Sequence, residues 1–263
     1  LIASTHHSEF TGDVTPSGVQ GLDDLLNGGP LRGTSTLITG PAGSGKTTIA
    51  LQYMDAACRR GEHCVVYEFD ERIGTLMARA KAFGLDLQAH VDNGCMTVEQ
   101  IDPAEISPGE FAARVRAQVE QHQARMIVID SLNGYMAAMP QEQQLILQMH
   151  ELLSYLSQKG VVTFLISPQD GLVGTMQSSL NISYIADAVV LLRFFEAEGR
   201  IRKAISVIKN RGGGHEDTIR ELRVDAAGIR VGDALADFRG VLTGTPEYTG
   251  AASPLMEDRA FGA

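Results

Sequence analysis

The run Gly40-Pro-Ala-Gly-Ser-Gly-Lys-Thr47 constrains this chain more than any other eight residues in it. It fits the pattern G-x-x-x-x-G-K-[ST] at every fixed position. Such a loop works where a buried strand runs into it and a helix leaves it. Glycines let the backbone curl so that several N–H groups face one phosphate, and the helix adds the positive end of its dipole. The flanking residues supply that setting. Thr34 to Thr39 reads as a buried strand. Lys46 to Arg60 carries helical apolar spacing at Ile49, Ala50, Tyr53, Met54 and Ala57, with Gly61 as its stop. Gly40, Gly43, Ser44, Gly45, Lys46, Thr47 and Thr48 are therefore the candidate nucleotide-binding residues. Lys46 is expected on the β- and γ-phosphates of ATP, and the Thr47 hydroxyl on Mg²⁺.

Strand and helix patterns alternate from there to Ser167. Strands are expected at His63–Phe69, Cys95–Gln100, Met126–Asp130 and Val161–Ser167, with helices at Arg72–Phe83, Gly109–His122 and Gln141–Lys159. This alternation implies an α/β fold, a mostly parallel sheet covered by helices on both faces. Asp187–Phe194, Arg202–Ile208 and Ile219–Val224 then read as hairpin-connected strands that extend the sheet antiparallel. The expected organisation is a polar opening segment (1–13), one domain (14–244), and a tail (245–263) rich in Gly, Pro and Ala that lies on a neighbour or in solvent.

Two acidic sites fall at the C-terminal ends of strands, the edge where such sheets bind ligands. Met126-Ile-Val-Ile-Asp130 places a carboxylate there, and Asp130 is expected to hold the Mg²⁺ shell through water. Asp70-Glu71 follow the strand ending at Phe69. On spacing alone they admit two readings: carboxylates that position or deprotonate water, or acidic residues favouring the start of the next helix. Glu68 lies nearby, but strand alternation turns it another way, so it ranks below them.

Composition narrows the partners. Apolar residues at 44% and charged residues at 21% describe an ordinary globular chain of 263 residues. A net charge of −10 argues against non-specific binding to DNA or anionic membrane. No apolar run reaches the roughly 18–20 residues of a membrane span. Cys58, Cys64 and Cys95 lack metal-ligand spacing and are expected as buried free thiols, which suits the cytoplasm.

The residues together resemble the KaiC family, the circadian-clock and KaiC-like ATPases of the RecA/RadA superfamily. Four features carry the resemblance: Thr15-Pro-Ser-Gly-Val-Gln-Gly-Leu-Asp-Asp-Leu-Leu-Asn-Gly-Gly29, the phosphate loop, Tyr67-Glu-Phe-Asp-Glu71 with Ala82-Phe-Gly-Leu-Asp86, and Ile205-Ser-Val-Ile-Lys-Asn-Arg-Gly212 with Ile219-Arg-Glu-Leu222. The match runs from about Val14 to Gly250. It implies a RecA-like fold assembled as a hexameric ring with ATP between subunits. It also implies that Asp70 and Glu71 are the catalytic acidic pair. The family usually has Glu-Glu there, which leaves Glu71 as the expected base. Lys209 and Arg211 match a basic pair that reaches the neighbouring subunit's γ-phosphate.

The ending Gly240-Val-Leu-Thr-Gly-Thr-Pro-Glu-Tyr248 resembles the close of the second of two tandem copies. This points to the C-terminal domain of a two-domain protein, or to a single-domain relative. The second copy can transfer phosphate to a Ser-Thr pair; here Ser183 keeps the serine position and Tyr184 replaces the threonine. Three functions follow as alternatives: a ring ATPase with serine autokinase activity that switches regulatory protein partners, a RadA- or DnaB-like DNA-dependent ATPase, and a nucleotide-binding regulator without turnover. His215, after three glycines, is a further candidate for nucleotide contact, whereas His6 and His7 belong to the opening segment and Met136, Met139 and Met149 to packing.

Overall fold

The computed structural model describes residues 12–137, 142–169, 184–243 and 246–250. Ser183, His6, His7, Met139 and most of the tail fall outside the described residues. In chain order the elements are α1 (Gln20–Leu25), β1 (Ser35–Gly40), α2 (Lys46–Arg59), β2 (Cys64–Glu68), α3 (Ile73–Ala82), α4 (Leu87–Asp92) and β3 (Met96–Gln100). They continue with α5 (Pro108–Gln121), β4 (Met126–Asp130), α6 (Leu132–Ala137), α7 (Glu142–Gln158), β5 (Val162–Pro168), β6 (Ala188–Ala197) and β7 (Arg200–Asn210). The last are β8 (Arg220–Asp225), β9 (Gly228–Ala234), β10 (Phe238–Arg239), a short 3₁₀ turn (Val241–Thr243) and β11 (Glu247–Tyr248).

Among the described residues, nine strands form one sheet in the order β3-β2-β4-β5-β1-β6-β7-β8-β9. The first six are parallel, and β7 to β9 continue it antiparallel. This is the RecA-like architecture, with β5 inserted between the strand entering the phosphate loop and the strand ending in Asp130. Strand alternation sorts the side chains into two cores. Ile38, Cys64, Val66, Met126, Val128, Phe164 and Ile166 pack under α1 to α4, and Leu37, Val65, Tyr67, Ile127, Ile129 and Leu165 pack under α5 to α7. Both faces being covered explains why the strands read as continuous apolar runs.

The helices begin where their capping groups allow. Ser107 and Glu110 form a capping box at α5, with Pro108 at the first helical position. Asp86 accepts from the Ala89 N–H at α4. Several short elements were not anticipated, among them α1, α4, α6 and β9 to β11. The tail also differs from expectation where it is described. Glu247–Tyr248 pairs with Phe238–Arg239 of its own chain, and the Tyr248 ring lies 5.1 Å from that of Phe238. Cys58 and Cys64 are buried free thiols, while Cys95 is half-buried.

Candidate nucleotide site

Gly40 is the last residue of β1, and a Cβ there would sit 2.6 Å from the Leu192 carbonyl oxygen. Only glycine lets the loop leave the sheet so close to β6. Gly45 caps α2 with φ +110. Lys46, Thr47 and Thr48 form the first turn of α2, where backbone N–H groups have no partner within the helix. These amides and the dipole behind them face a cavity of about 280 Å³ lined by Gly43, Lys46, Thr47, Asp70, Arg79 and Asp130, among others. That lies near the lower bound of ligand pockets, roughly 300 Å³, so one copy walls in little more than the phosphate end of a nucleotide.

Lys46 is 8% exposed and donates to the Pro41 carbonyl oxygen at 2.8 Å. Burial lowers its ammonium pKa to about 8; Asp130 opposes that shift and Arg79 adds to it. The Thr47 hydroxyl donates to Asp130 Oδ2 at 2.6 Å. Asp130 itself is raised, first by burial, against the hydrogen bond from Thr47 and the charge of Arg79. Thr47 and Asp130 thus meet across β5. The Ser44 hydroxyl and Glu68 Oε2 are buried without a hydrogen-bond partner in the loop and beside it. Among the described residues no group of three His, Cys, Asp or Glu is placed to hold a metal ion. A Mg²⁺ site built from one hydroxyl, one carboxylate, water and phosphates does not require one.

The acidic pair divides. Asp70 lines the cavity and accepts a hydrogen bond from the Ser131 hydroxyl. Gly134 permits this approach, since a Cβ there would lie 2.5 Å from Phe69 Cβ and 2.8 Å from Asp70 Oδ1. Glu71 is turned aside, its Oε2 2.7 Å from Arg79 Nη2 on α3.

Glu68 calls for a correction. Alternation separates it from Phe69, but cross-strand register places it beside Asp130, on the same face of the sheet. It is 2% exposed, and its Oε1 accepts the N–H groups of Asp70 and Glu71 at 3.4 and 3.0 Å. Burial first, then the charge of Asp130, pushes its pKa up to about 8. The folded state therefore holds a proton that the unfolded chain releases from about 4.5 upward, and stability falls as pH rises from 4.5 through 8. Glu68→Gln mimics the protonated acid and keeps the acceptor. In EDTA without nucleotide, we expect it to match the wild type at pH 5 and to exceed it at pH 8.5 by on the order of 2 kcal/mol. Thermal unfolding at the two pH values checks this; an equal gap at both would show that the carboxyl ionises freely.

Sequence reasoning also missed Arg79, Lys203 and Ser131, all of which line the cavity. A signal existed for Arg79: it lies at helical spacing between Leu76 and Phe83, an arginine among the inward positions of α3.

Lys209 and Arg211 are not brought to this cavity. Lys209 pairs with Val189 near the start of β6 and donates to the Ala186 carbonyl oxygen at 2.6 Å. The Arg211 N–H bonds the Asp187 carbonyl oxygen, and its side chain is exposed. Asp187 in turn accepts from Ser35, the first residue of β1, at 2.9 Å. The basic pair therefore stands at the edge of the sheet opposite the phosphate loop, roughly 15 Å away at 3.3 Å per residue. His215 is exposed and absent from the cavity lining.

The family model described as "ATPase: KaiC" matches residues 15–236. The circadian clock protein KaiC3 of Synechocystis sp. is 28% identical over 236 residues, which is 89% of this chain and 46% of that protein. The circadian clock oscillator protein KaiC of Parathermosynechococcus lividus is 25% identical over 233 residues, 88% of this chain and 42% of that protein. The same protein of Acaryochloris marina is 25% identical over 88% of this chain and 44% of its own length. The chain thus spans less than half the length of these relatives.

Proposed function

Since this chain belongs to the KaiC family of ATPases, we propose that it hydrolyses Mg–ATP at a site completed by a second copy of itself. The observation that carries the reading is the Thr47–Asp130 contact of 2.6 Å beside the buried Lys46, on the rim where Asp70 and Glu71 emerge. The first-turn amides of α2 and Lys46 hold the phosphates. Thr47 and Asp130 would hold Mg²⁺, which when bound neutralises charge on the β- and γ-phosphates. Glu71, once free of Arg79, orients and deprotonates the attacking water, while Asp70, anchored by Ser131, fixes the turn.

The opposite placement of Lys209 and Arg211 supports supply in trans. Neither reaches the phosphates of its own subunit, whereas a neighbour's edge can carry them to the open side of the cavity. The exposed apolar side chains of Tyr184 and Ile208, 53% and 52% accessible, flank that basic edge and suit a protein contact. A hexameric ring, a regulatory role of the clock type and autophosphorylation of Ser183 are the finer parts of the proposal. Their support is the family membership together with the position of Tyr184, two residues from Ala186 at the trans edge.

The test follows γ-labelled ATP with Mg²⁺, with Lys46→Ala alongside. We expect label in free phosphate from the wild type and none from Lys46→Ala. Label on the protein that disappears in Ser183→Ala adds the autokinase. Label retained in ATP by the wild type overturns the ATPase reading in favour of a nucleotide-gated scaffold.

A further inference from the structure

Arg79 is the one cavity-lining side chain that is ion-paired to the proposed base. Its Nη2 lies 2.7 Å from Glu71 Oε2, and its side chain is 38% exposed. Its charge acts on Lys46 and on Asp130 alike. Arg79 lines the same cavity as both, so the guanidinium is open to a phosphate bound there. A guanidinium has donors for two acceptors at once and prefers a bidentate partner. Here one of its nitrogens is held by the Glu71 carboxylate.

We infer that Arg79 reads the terminal phosphate from within the same subunit, exchanging Glu71 for the γ-phosphate and thereby distinguishing ATP from ADP. Two consequences follow. ADP carries no group that reaches the guanidinium, so Arg79 keeps Glu71 turned aside and the diphosphate gains nothing from it. ATP takes Arg79, and the same exchange releases Glu71 toward the water. Arg79 is thus a specificity-determining residue toward the triphosphate and a positioning residue for Glu71. This rests on the proposed site, but it concerns binding and can be read without turnover.

The experiment measures Mg–ATP and Mg–ADP affinity by calorimetry for wild type, Arg79→Ala, Arg79→Lys, Glu71→Gln and the Arg79→Ala/Glu71→Gln double variant. We expect Arg79→Ala to weaken ATP about tenfold and leave ADP unchanged, and Arg79→Lys to restore part of the loss. Glu71→Gln should tighten ATP more when Arg79 is present than when it is absent, because only then does it free a phosphate ligand. Equal weakening of both nucleotides, no weakening of either, or additive effects in the cycle would each overturn the inference. Failure of the ATPase reading is separable: it is a wild type that binds ATP with Arg79-dependent preference and releases no phosphate.

Discussion

Glu71→Gln is expected to leave Mg–ATP bound while slowing its hydrolysis by about 10²–10⁴-fold, the usual contribution of a positioned general base. The amide cannot accept a proton, yet it fills the same space at the start of α3, so folding is untouched. Asp70→Asn is expected to cost less, because the Ser131 hydroxyl already occupies one of its oxygens and an amide oxygen can accept the same hydrogen bond. Single-turnover phosphate release, with nucleotide affinity measured in parallel, separates the two. A larger loss from Asp70→Asn than from Glu71→Gln would move the base to Asp70, the member of the pair that lines the cavity.

Lys46→Met should act on affinity and stability in opposite directions. Two charge-assisted hydrogen bonds to phosphate are worth about 3–6 kcal/mol, so Mg–ATP affinity is expected to fall by about 10²–10⁴-fold. The ammonium, however, is 8% exposed, with one hydrogen bond to Pro41. Its pKa near 8 in the folded state, against 10.5 ordinarily, means that its charge opposes folding. That cost is fully present below pH 8 and is relieved as pH rises from 8 to 10.5, where the unfolded chain binds the proton and the folded one has released it. Lys46→Met removes the cost, and in nucleotide-free protein at pH 7 a gain on the order of 1–3 kcal/mol is expected. Denaturant unfolding at pH 7 and pH 10 checks it: the gain should shrink at the higher pH. A loss at pH 7 would mean that the Pro41 contact outweighs the buried charge.

Local spacing carried some of this site and register carried the rest. The phosphate loop and Asp130 were legible because each depends on a strand end and the residues beside it. The sheet order was not, since nothing near Gly40 or Asp130 states that β5 lies between their strands. Glu68 was misjudged for the same reason. Alternation gives the face of a strand but not its cross-strand neighbour, and the charge of Asp130 across the pair adds to burial in raising the pKa of Glu68. Elements such as α4 and α6, six residues each, are too short to form on propensity alone. They are held by the cores they pack into, Leu87 in one and Leu132 in the other. Arg79 and Glu71 meet although Glu71 lies before α3 and Arg79 late within it, a pairing that eight residues of sequence separation do not reveal.

The strand β7 has Lys203 at one end, lining the cavity, and Lys209 near the other, on the opposite edge. It is hydrogen-bonded to β6 along its length, with a register shift between Val189 and Val190, and to β8 over Lys203–Ile205, so the two lysines share one continuous strand. In the proposed assembly this strand joins the nucleotide cavity of one subunit to the cations offered to the next. Occupancy would then pass around the assembly in one sense of rotation, along the polarity of this strand, and each subunit would hear from one neighbour and speak to the other. Mixing wild-type subunits with Arg211→Ala subunits tests this: a loss steeper than the fraction added is expected, and a strictly proportional loss would mean that the sites act independently.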